Sequence, residues 1–359
     1  MNRQAVITWQ EERGMGQWII VCVGFCVLMV IVIPSIIVKG CSPNIHTPTP
    51  KQDPTNYSVN VFMATSNEIS TMDLEEYIKG VVAAEMPASF GIEALKAQAV
   101  AARTITLRQM LQFGGCGCAK NPGADICTDH RHCQAWISRE ELQERIGHIN
   151  YLSYSKKIQD AVNATKGLVA TYKGDLIEAC YHAASGGATD NSEEVWSNPA
   201  PYLKGVSTQF ESMEPDFQKE ISFTMDELER VLGINFREEK SSTYNVAGKD
   251  VHVISQVKME KPIEILGASK AGRIKEIRIG DKVFEGSILR NLLGLASTKM
   301  TYRIADNRIY IITTGYGHGV GMSQYGANVM ANAGENFKDI LKHYYQGIEI
   351  VDYSQIKIR

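Results

Sequence analysis

What this chain lacks narrows its class first. It has no excess of charge: 37 Lys and Arg stand against 40 Asp and Glu, a net of -3. The strongly basic surface expected of a nucleic-acid-binding protein is therefore missing. It has no internal repeat, which excludes a solenoid. It has no regular βαβ rhythm, which argues against a parallel α/β sheet and for an α+β fold. Its cysteines follow no standard zinc-finger spacing. What remains is ordinary for a globular protein with a substantial core: 359 residues, 44% hydrophobic and 21% charged.

One apolar run without a charged residue, residues 17–38, is long enough to span a bilayer. It is too long for a typical signal-peptide core, and apolar residues continue past Pro34 and Ser35, which argues against cleavage. Lys39 spoils the faint lipoprotein look of Gly40 and Cys41. The basic residues on the two flanks favour, by a small margin, a cytoplasmic N-terminus. The expected layout is a cytoplasmic tail over 1–16, a membrane helix over 17–38, a linker over 39–58 and one extracytoplasmic domain over 59–359. The linker holds Pro43, Pro48, Pro50 and Pro54 among polar residues, which suits an extended tether.

The domain opens with two expected strands, 59–64 and 68–71, around a turn at Ser66 and Asn67. Asp73 is then a good N-cap, with Glu76 three residues later as its capping-box partner. The helix that follows must stop near Glu85, because Pro87 cannot continue it and restricts Met86. Glu85 is left at the negative end of that helix beside Val81, Val82, Met86 and Phe90. Both surroundings disfavour a carboxylate, so the sequence predicts a raised pKa and a candidate general acid. A lone glutamate in a last turn is ordinarily just solvated.

The next helix, 92–111, is alanine-rich on several sides and should be closely packed. Lys96 and Arg103, seven residues apart, fall on nearly the same face. Two cations on an apolar helix need partners or a polar cleft, unless their stems lead the charges out to water.

Cys116, Cys118, Cys127, His130, His132 and Cys133 then fall within 18 residues of little apolar content. Zinc takes four such ligands and can staple a loop that has no core. One or two disulfides are the rival, since the domain is expected outside the cytoplasm. The histidines have no place in a disulfide account. Zinc on Cys118, Cys127, His132 and Cys133 is therefore preferred, with Cys116 and His130 as substitutes. Four protein ligands leave no open position, so the metal would be structural.

Helices are expected over 138–147 and 157–165, with Gly167 as a stop, followed by a hairpin of 168–172 and 176–182. Its second strand delivers Tyr181 and His182 into Ser185, Gly186 and Gly187. Glycines allow close backbone approach, free N–H groups can donate to sugar oxygens, and a tyrosine suits sugar recognition. Pattern alone still favours a glycine turn beside a core tyrosine. Glu194 is a possible second carboxylate. Residues 207–300 offer packing only: a capping box of Thr224 and Glu227, a stop at Gly233, a strand over 275–279 and a helix over 287–293. A strand over 308–314 then runs into glycines 315, 317, 319 and 321, and a helix near Met322 carries Gln324 in its first turn. The loop lacks the Lys-Ser/Thr ending of a phosphate loop. His318 in it could position substrate, pass a proton, or be a satisfied structural residue. Helices ending at 345 and a strand over 348–352 close the chain.

Three stretches resemble the stage II sporulation protein D family. They are Val-Val-Ala-Ala-Glu-Met-Pro with the 95–104 segment, Tyr181 to Gly187 with 192–196 and 201–203, and Gly317 to Ala327. The likeness covers roughly 59–352, weakly between 207 and 300. It implies a membrane-anchored lytic transglycosylase that cuts peptidoglycan glycan strands during engulfment of the forespore, with Glu85 as its acid. It moves Tyr181, His182, Ser185, Gly186, Gly187, His318 and Gln324 to a substrate cleft. Lys96 and Arg103 would there bind the lactyl carboxylates of denuded strands. It also implies an amidase partner among other engulfment membrane proteins. Because some relatives are described as amidase enhancers, a non-catalytic peptidoglycan binder is the rival, and a zinc hydrolase is a third reading.

Overall fold

The computed structural model describes residues 57–196, 198–208, 210–211 and 218–356. The expected tail, membrane span and most of the linker lie outside them. Among the described residues no helix is long and apolar enough to cross a membrane. Residues 56–359 form one compact unit, and its architecture is α+β with several small sheets.

β1 (Ser58–Met63) and β2 (Glu68–Asp73) pair antiparallel, and Asn67 supplies the left-handed turn residue (φ 59°). α1 (Leu74–Glu85) starts where the sequence predicts, with the Asp73 carboxylate accepting from the N–H groups of Glu75 and Glu76. The reciprocal half of the capping box does not form. Glu76 instead pairs with Lys79 and Arg139, each at 2.6 Å, because two cations outcompete one backbone amide. α2 (Ile92–Gln109) is the centre of the fold, buried nearly all round. Its alanines let neighbours approach closely, and α1 and the C-terminal helices pack on it.

α3 (Arg139–Ala164) joins into one element the two helices expected separately, with a kink at Gly147 (φ 76°, ψ 156°). Only glycine takes that backbone without strain, so the sequence signals of two helices were real and mark its two arms. β4 (Leu168–Tyr172) turns into β5 (Asp175–Leu176), but the expected second strand breaks there. Its continuation, β6 (Tyr181–His182), leaves β4 and pairs in parallel with β15 (Met322–Ser323), 141 residues on. α4 (Ser192–Val195) is a single turn.

A second hydrophobic core fills the region where sequence patterns said least. β7 (Gln218–Thr224), β13 (Met300–Ala305) and β14 (Arg308–Thr314) form one sheet with β14 central. β10 (Ile263–Ala268), β11 (Ile274–Ile279) and β12 (Lys282–Glu285) form another. α5 (Met225–Leu232), with its expected capping box and a left-handed stop at Gly233, and α6 (Gly286–Leu292) complete the layer. Ile309 and Ile311 alternate inward from β14 onto Leu228, Ile277 and Leu289. Between α5 and β10 in the chain comes a mostly exposed hairpin of β8 (Arg237–Val246) and β9 (Lys249–Lys258). α7 (Gln324–Asn332), α8 (Phe337–Tyr344) and β16 (Glu349–Asp352) return the chain to the first core.

Candidate active site and metal centre

Four distant segments converge on Glu85. Its Oε1 accepts from the Ala135 N–H at 2.9 Å, and its Oε2 lies 3.3 Å from Gln324 Nε2. That same amide nitrogen reaches the Oε1 of Gln98, on α2, at 3.4 Å. Tyr181 on β6 donates to Gln134 Oε1 at 2.8 Å, and Gln134 donates to Thr106 at 3.1 Å. Burial raises the Glu85 pKa; the Ala135 and Gln324 donors and nearby His130 oppose it without cancelling it. The site thus holds a carboxyl that burial inclines to protonation, with two donors ready for the carboxylate. That is the requirement for a group that gives a proton and takes one back. Gln98 and Gln134 were not singled out from sequence. A buried glutamine in an alanine-rich helix was the available signal, since such an amide needs partners.

The four preferred metal ligands also converge. The ligand atoms of Cys118, Cys127, His132 and Cys133 all lie within 4.8 Å of one another. His132 Nδ1 is 3.5, 3.4 and 3.2 Å from the sulfurs of Cys118, Cys127 and Cys133. Tetrahedral zinc with ordinary bond lengths has N···S edges of about 3.5 Å, so the set fits the ion. Cys116 is exposed and none of these cysteines is in a disulfide. β3 (Ile126–Cys127) hangs one ligand on β1, and the N–H groups of His132 and Cys133 both bond to the Asp129 carbonyl. Two residues after Cys133 comes Ala135, whose amide holds Glu85. Stripping metal with a chelator should therefore lower the thermal midpoint by about 5–10 °C. A melting curve that does not move, or that re-added zinc does not restore, would count against a metal staple.

Other expected site residues are placed differently. Arg103 is fully buried and forms a two-pronged ion pair with Glu75: Nε–Oε1 2.9 Å and Nη2–Oε2 2.6 Å. Its Nη1 donates to the Leu168 carbonyl at 3.0 Å. It is thus withdrawn from any ligand, and the cationic stripe with Lys96 does not exist. Lys96, half-exposed, pairs with Glu93 at 2.6 Å. Glu194 pairs with Lys275 at 2.6 Å.

The glycine-rich segments are backbone crossings more than ligand cradles. Ser185 is buried, and both its N–H and its hydroxyl donate to Glu211 Oε2 at 2.9 Å. The Gly187 N–H turns back to Ser185 Oγ at 3.3 Å. The Tyr316 N–H donates to Ala184 and the Gly317 N–H to Ala296. The donors expected for sugar oxygens are thus largely consumed inside the fold, while the space beside Gly187 is open. Gly186 lies against Thr314. His318 donates from Nε2 to the Tyr181 carbonyl at 3.0 Å and accepts the Val320 N–H on Nδ1 at 3.1 Å. Burial lowers its pKa to about 4, so it is neutral and occupied at both nitrogens, which suits the structural reading. His182 is buried, donates to the Val320 carbonyl at 3.1 Å, and is held well below its usual pKa, first by burial.

Arg273 and Asp190, both buried and 3.4 Å apart, were missed because no motif surrounds them. Arg273 donates to the Ser185 carbonyl at 2.6 Å and to Ser297 at 2.8 Å, tying the second core to the first. Gly319 lies flat on its guanidinium: a Cβ there would sit 2.0 Å from Nε, at a φ of 81°. Gly319→Ala should therefore destabilise the fold by about 2–4 kcal/mol. A denaturation midpoint equal to wild type would show that this crossing is not tight.

The family model described as SpoIID, Stage II sporulation protein, matches residues 63–172, which include Glu85 and the Cys/His cluster. Stage II sporulation protein D of Bacillus amyloliquefaciens is 34% identical over 348 residues, covering 91% of this chain and 93% of the relative. The chain belongs to the stage II sporulation protein D family. The family's protein from Bacillus subtilis (strain 168) is 36% identical over 293 residues, 82% of this chain and 78% of its own. A protein named amidase enhancer, from the same strain, is 30% identical over 310 residues, 77% of this chain and 40% of its own.

Proposed function

We propose that this family member is a lytic transglycosylase that cuts peptidoglycan glycan strands between N-acetylmuramic acid and N-acetylglucosamine during sporulation engulfment. The observation that carries the reading is Glu85 itself: a carboxyl with a raised pKa, gripped by two donors from distant segments. Glu85 protonates the glycosidic oxygen as the bond from the muramyl C1 breaks. The resulting carboxylate, stabilised by Ala135 and Gln324, takes the proton of the muramyl C6 hydroxyl as that oxygen bonds to C1. The N-acetyl group can assist at C1. The product ends in 1,6-anhydro-N-acetylmuramic acid, and Glu85 is returned protonated. No water and no second carboxylate are needed, unlike ordinary glycoside hydrolysis.

The metal cluster would hold structural zinc, which when bound fixes the Cys/His segment and through it the Ala135 amide. Four protein ligands leave no open position, which disfavours a zinc hydrolase. A preference for denuded strands no longer has a basis in Lys96 and Arg103. Attachment by residues 17–38, with the domain outside the cytoplasm and an amidase among its engulfment partners, completes the proposal.

The second reading is a non-catalytic peptidoglycan binder that enhances an amidase, favoured by the relative of that name. The test is to incubate the chain, held in detergent, with denuded glycan strands and weigh the products. Anhydro-ended fragments support the transglycosylase. Reducing ends mean attack by water. Binding without cleavage supports the enhancer.

A further inference from the structure

β8 and β9 make a sheet of their own, and among the described residues no other strand pairs with either. Ten residue pairs run in unbroken register from Arg237 with Lys258 to Val246 with Lys249. Ala247 (φ 55°) and Gly248 (φ 79°) close a two-residue turn whose hand matches the twist of the strands. A hairpin with no third strand and no packed face is marginal in water. Yet nearly every residue of this one is exposed. We infer that β9 is a dimerisation edge: two copies of the chain pair their β9 strands antiparallel about a two-fold axis at Ile254, making one four-stranded sheet.

The two edges of the hairpin are guarded differently. Sheet edges are ordinarily blunted by charge, proline or a bulge. β8 opens with Arg237, Glu238, Glu239 and Lys240. β9 has nothing of the kind along its middle. From Val251 to Val257 it carries no Lys, Arg, Asp, Glu, Pro or Gly, and its register has no bulge. Ile254, at the centre of that stretch, is 67% exposed.

Strand geometry narrows the register. Successive residues of β9 turn their N–H and C=O groups alternately toward β8 and away from it. An antiparallel copy must set outward groups opposite outward groups, so the axis passes through a residue and not between two. An axis at Ile254 sets Asp250 opposite Lys258 of the second copy, and symmetry repeats the pair. It also sets Val251 opposite Val257 and Ile254 opposite itself. At any other residue of β9 the axis brings no opposite charges together. Lys258 needs such a partner. In its own hairpin it stands opposite Arg237, a like-charge pair that costs stability, and neither is ion-paired among the described residues. Asp250 meets a neutral donor, Asn245 Nδ2, at 2.9 Å.

The test is sedimentation of the full chain in density-matched detergent over a range of concentrations. Wild type is expected to reach dimer. Asp250→Lys sets like charges against each other at both ends of the paired strands and should weaken the dimer at least about tenfold, as should Lys258→Asp. The two changes together restore opposite charges in swapped order, and the dissociation constant should return to within about threefold of wild type. Within one chain positions 250 and 258 are about 27 Å apart along the strand, so only a second copy can supply that rescue. Ile254→Lys puts two like charges on the axis and should leave monomer. All three positions are exposed, so melting should match wild type. A chain still monomeric at about 100 µM would overturn the dimer edge. So would a dimer indifferent to these changes, or single swaps that the double swap does not rescue.

Discussion

Glu85→Gln should lower the rate of glycan cleavage by about 10²–10⁴-fold, the usual contribution of a positioned acid. The substitution is nearly isosteric. The new amide oxygen can still accept the Ala135 N–H, so melting should stay close to wild type and loss of activity should not trace to unfolding. What disappears is the proton. The pH profile of the wild type gives an independent readout. An acid works while protonated, and burial raises the Glu85 pKa. The rate should therefore hold below that raised value and fall as pH climbs through it, giving a basic limb above the ordinary glutamate range. Glu85→Gln should lose this limb with its activity. A variant that cuts at the wild-type rate, or a wild-type profile flat across that range, would remove Glu85 from the chemistry.

How far the sequence could reach depended on the distance between partners. The Asp73 cap, the stop at Pro87 and the Thr224 and Glu227 box are local, and each formed or nearly formed. The Cys/His cluster was legible because its four members all lie between 118 and 133, so loop closure alone nearly brings them together. The upward direction of the Glu85 pKa was legible because the apolar neighbours that help bury it lie within a few residues. Its partners were not. Ala135 and Gln324 arrive from 50 and 239 residues away. The glycine-rich stretches were ambiguous for a different reason. A glycine admits close approach by a ligand or by protein, and the residue cannot say which. At Gly319 the neighbour is Arg273, and at Gly317 it is His182. A one-face argument also fails on a helix buried all round, and there the sequence misread α2.

Arg103 makes that failure measurable. A ligand-binding arginine and a structural one respond oppositely to truncation. The guanidinium is fully buried, spans both Glu75 oxygens and caps the Leu168 carbonyl. Arg103→Ala would strand the buried Glu75 carboxylate, which costs about 3–5 kcal/mol when half of such a pair is removed. For a domain of this size the thermal midpoint should fall by roughly 5–8 °C. Arg103→Lys should recover only part of this, since one ammonium cannot reproduce the two-pronged contact. The paired change of Arg103→Met with Glu75→Leu should lie far closer to wild type, because it removes both charges and leaves neither without a partner. Substrate affinity at a temperature where the fold persists should hardly change. Had the arginine faced the cleft, the single variant would melt normally and bind glycan poorly. That outcome would return Arg103 to the substrate and break the account of α2 given by the structure.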